Sequence, residues 1–341
     1  MLRENSLERL EAPARETRRS PLRTLVRRLL AIDPRDTSFA VRGFRCDEPE
    51  VRDRLEGVAQ CFVRGYHAAL ESALPELAGR LDAEQPAARG WAYEGAAMAL
   101  TILDVVTFQP TRLPALLAGP GDAHVYIIHV GAGWTLARLP LPVSALLRRL
   151  DPLLGWLAVD GYGFHEGFFH AARSVAGQEI PRKVKGYARR AFDQGLGRSL
   201  WFVEGAHPER IAAAIGAFPA ARRPDLWSGV GLACAYAGGR GRDGLETLRR
   251  AAAPWQRELA QGAAFAAAAR RRAGNPTADA ADAADAADTA DTELACQVLC
   301  GMSLENAAAV CIEAERDLPV VPPAAEVPAF EVWRRRIQER F

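Results

Sequence analysis

The feature that most restricts the fold of this 341-residue chain is a glycine-marked repeat in its central part. The motifs Gly161-Tyr-Gly163, Gly195-Leu-Gly197, Gly229-Val-Gly231 and Gly262-Ala-Ala264 each open an apolar segment, and their first glycines lie 34, 34 and 33 residues apart. A fixed period of this length is typical of stacked helical hairpins, each of which buries its apolar face only against the next.

The series extends in both directions, to Gly65, Gly95 and Gly131 upstream and to Gly301 downstream. Glycine costs about 1 kcal/mol relative to alanine inside a helix, so its repeated use indicates a compensating gain, which close approach of neighbouring helices would supply. Between the glycines an apolar stretch alternates with a more charged one, which predicts a tight inner helix followed by an amphipathic outer helix. We therefore expect an all-α fold of about seven stacked hairpins, as an open solenoid or a closed toroid.

Changes in composition predict six segments along the chain. They are a disordered tail at 1–19, an N-terminal helix and strap at 20–48, a helical-repeat domain at 49–274, an Asp/Ala-rich insertion at 275–292, a last hairpin at 293–317, and a proline-rich strap with a C-terminal helix at 318–341.

The overall charge and the distribution of apolar residues exclude several classes of protein. With 43 basic and 42 acidic side chains the net charge is +1, so no global field attracts nucleic acid. No apolar run approaches a membrane span and the N-terminus has no signal core, which predicts a cytoplasmic protein without a transmembrane segment. The six cysteines are widely spread, as expected of reduced thiols rather than a disulfide framework.

The motif from His165 through Glu166 to His170 invites comparison with zinc proteases, whose two histidines lie four residues apart. Here the spacing is five, and on a continuous helix the two rings would point about 140° apart. The spacing therefore predicts no metal site, although either histidine remains a candidate general acid or base.

A polar residue precedes the marker glycine in most repeats, and these side chains would recur at one height on the inner surface. They are Arg64, Glu94, Asp160, Gln194, Ser228 and Gln261. Together with nearby aromatic residues they predict a groove with a polar stripe. The predicted substrate-binding residues are Tyr93, Glu94, Phe164, Phe192, Gln194, Trp227 and Ser228. The alternative is that the polar residues only cap helices.

Ionisable groups are concentrated in the apolar segments around Gly161 and Gly195, where burial is costly unless partners or function compensate. His165, Glu166, Asp193 and Arg198 are therefore the catalytic candidates, with Trp227 beside them on the ligand-facing surface. The alternative for Asp193 and Arg198 is that they form a structural ion pair with each other.

Three long motifs carry a family resemblance: Gly161 to Gly167, Tyr187 to Gly205 and Asp225 to Ala233, supported by Arg42-Gly-Phe44 and Trp333-Arg-Arg-Arg336. In these motifs the chain resembles, from about Leu22 to Phe341, a bacterial family of unknown function, domain family 1702. Genes of that family accompany enediyne polyketide synthases in actinobacterial clusters. The resemblance implies a role in converting a linear polyene into the enediyne core alongside other cassette proteins. It implies no assigned catalytic residue, and it leaves any cofactor unassigned.

Two functions from different classes follow from this resemblance. The first is an enzyme, or enzyme subunit, that holds an apolar polyene and helps to oxidise or cyclise it. The second is a helical-repeat scaffold that assembles the biosynthetic enzymes. A closed ring of helices around a cavity favours the first function, whereas an open solenoid with a polar concave face favours the second.

Overall fold

The computed structural model describes residues 30–275, 290–319 and 326–341. These residues form helices and no strands, so the predicted all-α class is confirmed. The predicted tail at 1–19 and the beginning of the predicted N-terminal helix lie outside the described residues.

Long inner helices alternate with shorter outer ones through most of the chain. In chain order they are α1 (Pro49–Glu71), α2 (Leu74–Asp82), α3 (Arg89–Val106), α4 (Arg112–Leu117), α5 (Val125–Arg138), α6 (Val143–Leu147), α7 (Trp156–Phe169), α8 (Ala188–Val203), α9 (Pro208–Gly216), α10 (Arg223–Ala237), α11 (Arg242–Ala251), α12 (Gln256–Arg272), α13 (Ala290–Cys300), α14 (Leu304–Glu315) and α15 (Ala329–Gln338).

The inner layer is a serial stack of α1, α3, α5, α7, α8, α10, α12 and α14, each packed on the next. Neighbours run parallel. For α7 and α8, Gly195 lies on Asp160 near one end, and the rings of Phe168 and Phe202 lie 5.9 Å apart nearer the other. The run from His124 to Leu139, which periodicity alone leaves open between strand and helix, forms α5 in this stack.

The paired glycines explain the close stacking, as expected from their period. The first glycine of a pair packs on the backbone of the preceding inner helix, and the second packs on the following one. A Cβ added to Gly195 would lie 1.7 Å from the carbonyl oxygen of Asp160, and one added to Gly197 would lie 2.0 Å from that of Leu226. No side chain fits in these gaps, so the helix–helix approach requires glycine.

The stack curls until helices near its beginning contact helices near its end. Of the two predicted arrangements, open solenoid and closed toroid, the structure has the closed one. The ring of Trp91 in α3 packs edge-to-face on Tyr236 of α10, with centroids 4.7 Å apart. The buried guanidinium of Arg270 in α12 donates to the carbonyl oxygens of Ala87 and Tyr236. These contacts enclose an interior, here called the lumen, between the inner helices.

Two glycines in the expected series have other roles. Gly65 packs on Ala92 of the following helix, so it corresponds to the second glycine of a pair, not the first. Arg64 consequently does not face the lumen. Its guanidinium instead forms an ion pair with the carboxylate of Glu84. Gly301 adopts a left-handed conformation, φ +69°, at the end of α13 and packs on nothing within 4 Å.

The predicted insertion at 275–292 lies largely outside the described residues. Its end, however, is helical, because α13 begins at Ala290. Thr292 is fully buried and donates a hydrogen bond to the carbonyl of Ala235. The last hairpin thus starts at least three residues before the predicted boundary at 293.

The described part of the chain has no single helix that meets the length and apolarity of a membrane span. One bent pair, Ala290–Cys300 with Leu304–Glu315 at 68°, passes that test when its two helices are taken together.

Candidate functional site

A ladder of hydrogen-bonded polar side chains crosses the inner helices at one height. Gln194 donates to Asp160 at 2.8 Å, and the Ser228 hydroxyl lies 3.3 Å from Gln194 Oε1 and 2.9 Å from Gln261 Oε1. Arg334 of α15 donates to Gln261 at 3.3 Å. Each ladder residue on α7 to α12 directly precedes the first glycine of its repeat, so the repeat itself aligns these side chains. The expectation that they recur at one height is confirmed for these four.

The ladder begins at a buried charged group, here called the luminal cluster, which consists of Glu94, Asp160 and Arg198. These side chains are 2%, 0% and 1% exposed. Arg198 forms an ion pair with Asp160 through Nη1 and lies with its guanidinium carbon 5.0 Å from the centroid of the Phe164 ring. Glu94 comes from α3 and is close enough to both charged partners to be affected by them.

The luminal cluster holds two carboxyl groups and one guanidinium. Because burial disfavours the charged form, it raises the pKa of Glu94 to about 8; Arg198 opposes this rise and Asp160 adds to it. Asp160 has the direct ion pair with Arg198, so Glu94 is the carboxyl group whose neutral form burial favours. A neutral buried carboxylic acid can donate a proton or a hydrogen bond.

Apolar chambers lie on either side of the luminal cluster. The front chamber contains Glu94 and is walled by Phe62, Trp91, Trp134, Phe164, Phe168, Phe169 and Phe202. The rear chamber contains Arg198 and is lined by residues including Tyr126, Val130, Leu157, Leu232, Tyr236, Phe265 and Trp333. Each has a cavity volume of about 30 Å³, which is room for one or two water molecules.

The predicted pairing of Asp193 with Arg198 is wrong. Arg198 pairs with Asp160, whereas Asp193 receives a two-pronged ion pair from Arg222, with Nε at 2.9 Å from Oδ2. Positions five apart on a helix point about 140° away from each other, so these two side chains leave α8 on opposite faces. Burial raises the pKa of Asp193 to about 6 despite Arg222. Asp193 is therefore not in the luminal cluster.

Only one of the four aromatic residues predicted to line the groove lies at a chamber. Phe164 lines the front chamber. Tyr93 instead turns to the outer layer, where its hydroxyl donates to Asp82 at 2.8 Å and its ring stacks on His124. Phe192 packs edge-to-face on Tyr162, and Trp227 is buried; neither lines a chamber. Tyr93 and Trp227 each directly precede the polar position of their repeat, and Phe192 lies two residues before Gln194; each residue rotates a helix by about 100°.

His165 and Glu166 are buried at the C-terminal end of α7, beside the front chamber and outside the luminal cluster. The His165 ring packs against Phe169 at 4.7 Å and edge-to-face against Trp134 at 5.4 Å. Burial lowers the pKa of His165. Burial opposes a low pKa for Glu166, but His165 and the ion pair with Arg173 lower it overall.

Sequence reasoning missed Trp134, which stacks on Phe62 with centroids 4.1 Å apart in the front chamber. The sequence did contain a signal for this position. In three repeats the residue three after the first glycine, and so four after the ladder position, lines a chamber: Trp134, Phe164 and Arg198. Residues four apart lie on the same helix face, so this position faces the same side as the ladder.

Sequence reasoning also missed a second buried charged group, here called the C-terminal cluster. It contains Asp225, Glu331, Arg190 and Arg334 and fastens α15 to α8 and α10. Arg334 and Arg190 lie 2.8 and 3.0 Å from Asp225, and Arg190 also pairs with Glu331. Tyr187 donates to Glu331 at 3.0 Å. Through Arg334 and Gln261 this cluster is joined to the ladder.

Fold and site together define an all-α helical-repeat ring with a buried polar ladder and two aromatic-walled chambers. The chain belongs to the family of proteins of unknown function DUF1702, which matches residues 21–341. No curated protein and no solved structure matches the chain.

Proposed function

We propose that the protein binds a linear apolar polyene in the lumen, across the two chambers, and acts on it by proton transfer from Glu94. The observation that carries this proposal is a buried carboxyl group that faces an aromatic-walled chamber beside a fixed guanidinium, where burial raises its pKa. Family membership adds context, because the resemblance implies an intermediate of enediyne polyketide biosynthesis as the polyene and cassette proteins as partners.

The luminal cluster suits an acid–base step on a conjugated chain. The Glu94 O–H bond breaks as the proton forms a C–H bond at a polyene carbon, leaving a delocalised cation and a carboxylate near Arg198. Loss of a proton from another carbon to the same carboxylate restores Glu94. The net result is double-bond migration or ring closure, and no oxidant is consumed.

The size of the front chamber requires its wall to open for a ligand. Ile32 and Thr37, from the segment that precedes α1, cover this chamber. That segment is held by the packing of Ile32 and Phe39 in the core and by hydrogen bonds, among them those from Tyr66 to the Leu30 carbonyl at 2.7 Å and from the Ile32 amide to His67. Displacement of this segment would admit a slender apolar molecule between the phenylalanine rings.

A scaffold is less well supported than a ligand-binding protein. A scaffold presents successive repeats on an open concave surface. Here the corresponding surface faces the lumen, and its ladder residues Gln194, Ser228 and Gln261 are each 0% exposed.

Binding is tested with parinaric acid, a conjugated tetraene fatty acid whose fluorescence rises in apolar sites. Ala59 lines the front chamber, so Ala59→Trp fills it and is expected to weaken binding at least about tenfold. The matched control is Ala213→Trp on the exposed face of α9, which is expected to bind like the parent. No saturable binding by the parent, or equal affinity of all three proteins, would refute a luminal site.

The chemical step is tested separately, in a strain with an in-frame deletion of the gene. We expect the deletion to accumulate an unprocessed polyene, and Glu94→Gln to bind parinaric acid normally yet fail to restore the product. Full complementation by Glu94→Gln would remove the proton-transfer step while leaving binding intact.

A further inference from the structure

The end of α7 brings together three potential metal ligands that lie outside the luminal cluster. Ligand atoms of His165, Glu166 and His170 all lie within 4.8 Å of one another. The spacing argument against a metal assumed that one helix continues through His170. Instead α7 ends at Phe169, and His170 takes a non-helical conformation, φ −131° and ψ 39°. The change of direction brings its ring centroid to 6.0 Å from that of His165.

The separation of two of these atoms suits a shared metal ion better than a hydrogen bond. His165 Nδ1 and Glu166 Oε1 are 3.6 Å apart, and Nδ1 is buried without a hydrogen-bond partner although His165 is only 5% exposed. A hydrogen bond would need about 2.7–3.2 Å. Two ligands bound at about 2.0–2.1 Å to a tetrahedral ion lie about 3.4 Å apart.

The surroundings hold the carboxylate in place for such an ion. Arg173 pairs with Oε2 of Glu166 and leaves Oε1 on the side of His165. An outer partner that orients a ligating carboxylate is a common feature of metal sites. His165 is fixed by the rings of Phe169 and Trp134, whereas His170 is exposed and gives an ion a path from solvent.

We propose that His165, Glu166 and His170 bind one divalent first-row transition-metal ion, such as Zn²⁺ or Fe²⁺, with a coordination position left for water or a ligand. Two histidines and one carboxylate form the donor set of both open zinc sites and non-haem iron sites. The site adjoins the front chamber, since Trp134 and Phe169 contact His165 and also line that chamber. Its existence does not depend on the proposed polyene.

The test is a titration of the full chain, stripped with EDTA, by Co²⁺, whose visible absorption reports its coordination. We expect one equivalent to bind with an absorption typical of mixed nitrogen and oxygen ligands, and Zn²⁺ to displace it. His170→Ala should weaken binding about 100-fold or more. Because His170 is exposed at a helix end, this variant should keep the parental melting temperature, which Glu166→Gln and His165→Ala need not do.

His207 supplies the matched control. Its Nδ1 lies 3.1 Å from Glu209 on the surface, and no third ligand joins this pair within the described residues. His207→Ala should therefore leave Co²⁺ binding unchanged. Equal affinity of the parent and His170→Ala, loss of binding in His207→Ala, or no stoichiometric binding by the parent would each overturn the proposal. Parinaric acid binding by the metal-free protein is measured separately, so the two proposals fail independently.

Discussion

The carboxyl groups of the luminal cluster and of the C-terminal cluster are buried, and one hydrogen-bond ladder joins the two clusters, yet their charges balance differently. In the C-terminal cluster two carboxylates, Asp225 and Glu331, share Arg190 and Arg334, and Arg335 adds a further contact to Glu331 at 2.7 Å. In the luminal cluster two carboxyl groups share the single guanidinium of Arg198. Balanced charges fasten α15 to the ring, whereas the unbalanced set favours the neutral form of Glu94.

This difference separates a structural group from a candidate reactive one. A buried carboxylate with enough cationic partners stays ionised and contributes fixed geometry. A carboxyl group that lacks a partner of its own takes up a proton instead, because burial of the isolated charge is too costly. The luminal cluster also faces two apolar chambers, and the C-terminal cluster is packed against α8 and α10.

The largest expected effect comes from separating the helices that carry the luminal cluster. In Gly195→Val the added side chain would begin 1.7 Å from the Asp160 carbonyl and force α7 and α8 apart. We expect the free energy of unfolding to fall by about 3 kcal/mol or more, or the protein not to fold. Gly216→Ala is the control, since a Cβ there meets nothing within 4 Å and should change stability by about 0.5 kcal/mol or less. Similar urea midpoints for both variants would contradict close packing at Gly195.

The glycine period was sufficient to predict the fold, because a backbone-to-backbone contact allows only glycine and so leaves a mark in the sequence. The same period predicted the ladder at Asp160, Gln194, Ser228 and Gln261. It did not predict which charges meet across the ring. Glu94 and Arg198 belong to repeats that are not adjacent in the stack, and their proximity depends on how far it curls.

The end of α7 was mispredicted for a different reason. The 140° argument at His165 and His170 assumed a continuous helix, and nothing in the residues from 165 to 170 indicates a helix end at Phe169. Trp227 and Tyr93 were misplaced by one residue, or about 100° of rotation, and Phe192 by two residues, or about 200°, since the glycine series fixes height along the helix more securely than direction around it.

The next expected effect comes from removing the central guanidinium of each cluster. Arg198→Met leaves Asp160 and Glu94 without a cation, so we expect a loss of about 3–5 kcal/mol at pH 8. Arg334→Met should cost less, about 1–3 kcal/mol, because Arg190 still pairs with both Asp225 and Glu331. Both values are measured by urea unfolding.

The deficit of Arg198→Met should also shrink towards pH 5. Without the cation the two buried carboxyl groups take up protons more readily than they do in the unfolded chain, so the variant gains stability as the pH falls. A larger loss for Arg334→Met than for Arg198→Met, or a deficit that grows on acidification, would reverse the proposed contrast in charge balance.

The smallest and most specific effect is expected for Glu94→Gln. The folded-state pKa of Glu94 is raised to about 8 by burial, against a model value of 4.5 for the free side chain. Between these values the folded state binds a proton that the unfolded state has lost, so Glu94 lowers stability progressively as the pH rises. Glutamine keeps the shape of the neutral acid and removes this dependence. We therefore expect Glu94→Gln to match the parent near pH 4.5 and to exceed it by about 2 kcal/mol at pH 6. Glu331→Gln, made in the balanced cluster, should instead destabilise the protein at both pH values because it weakens the pairs with Arg190 and Arg335. Should Glu94→Gln be the less stable protein at pH 6, Glu94 would have to be ionised there, and the neutral acid on which the proposed chemistry depends would be absent.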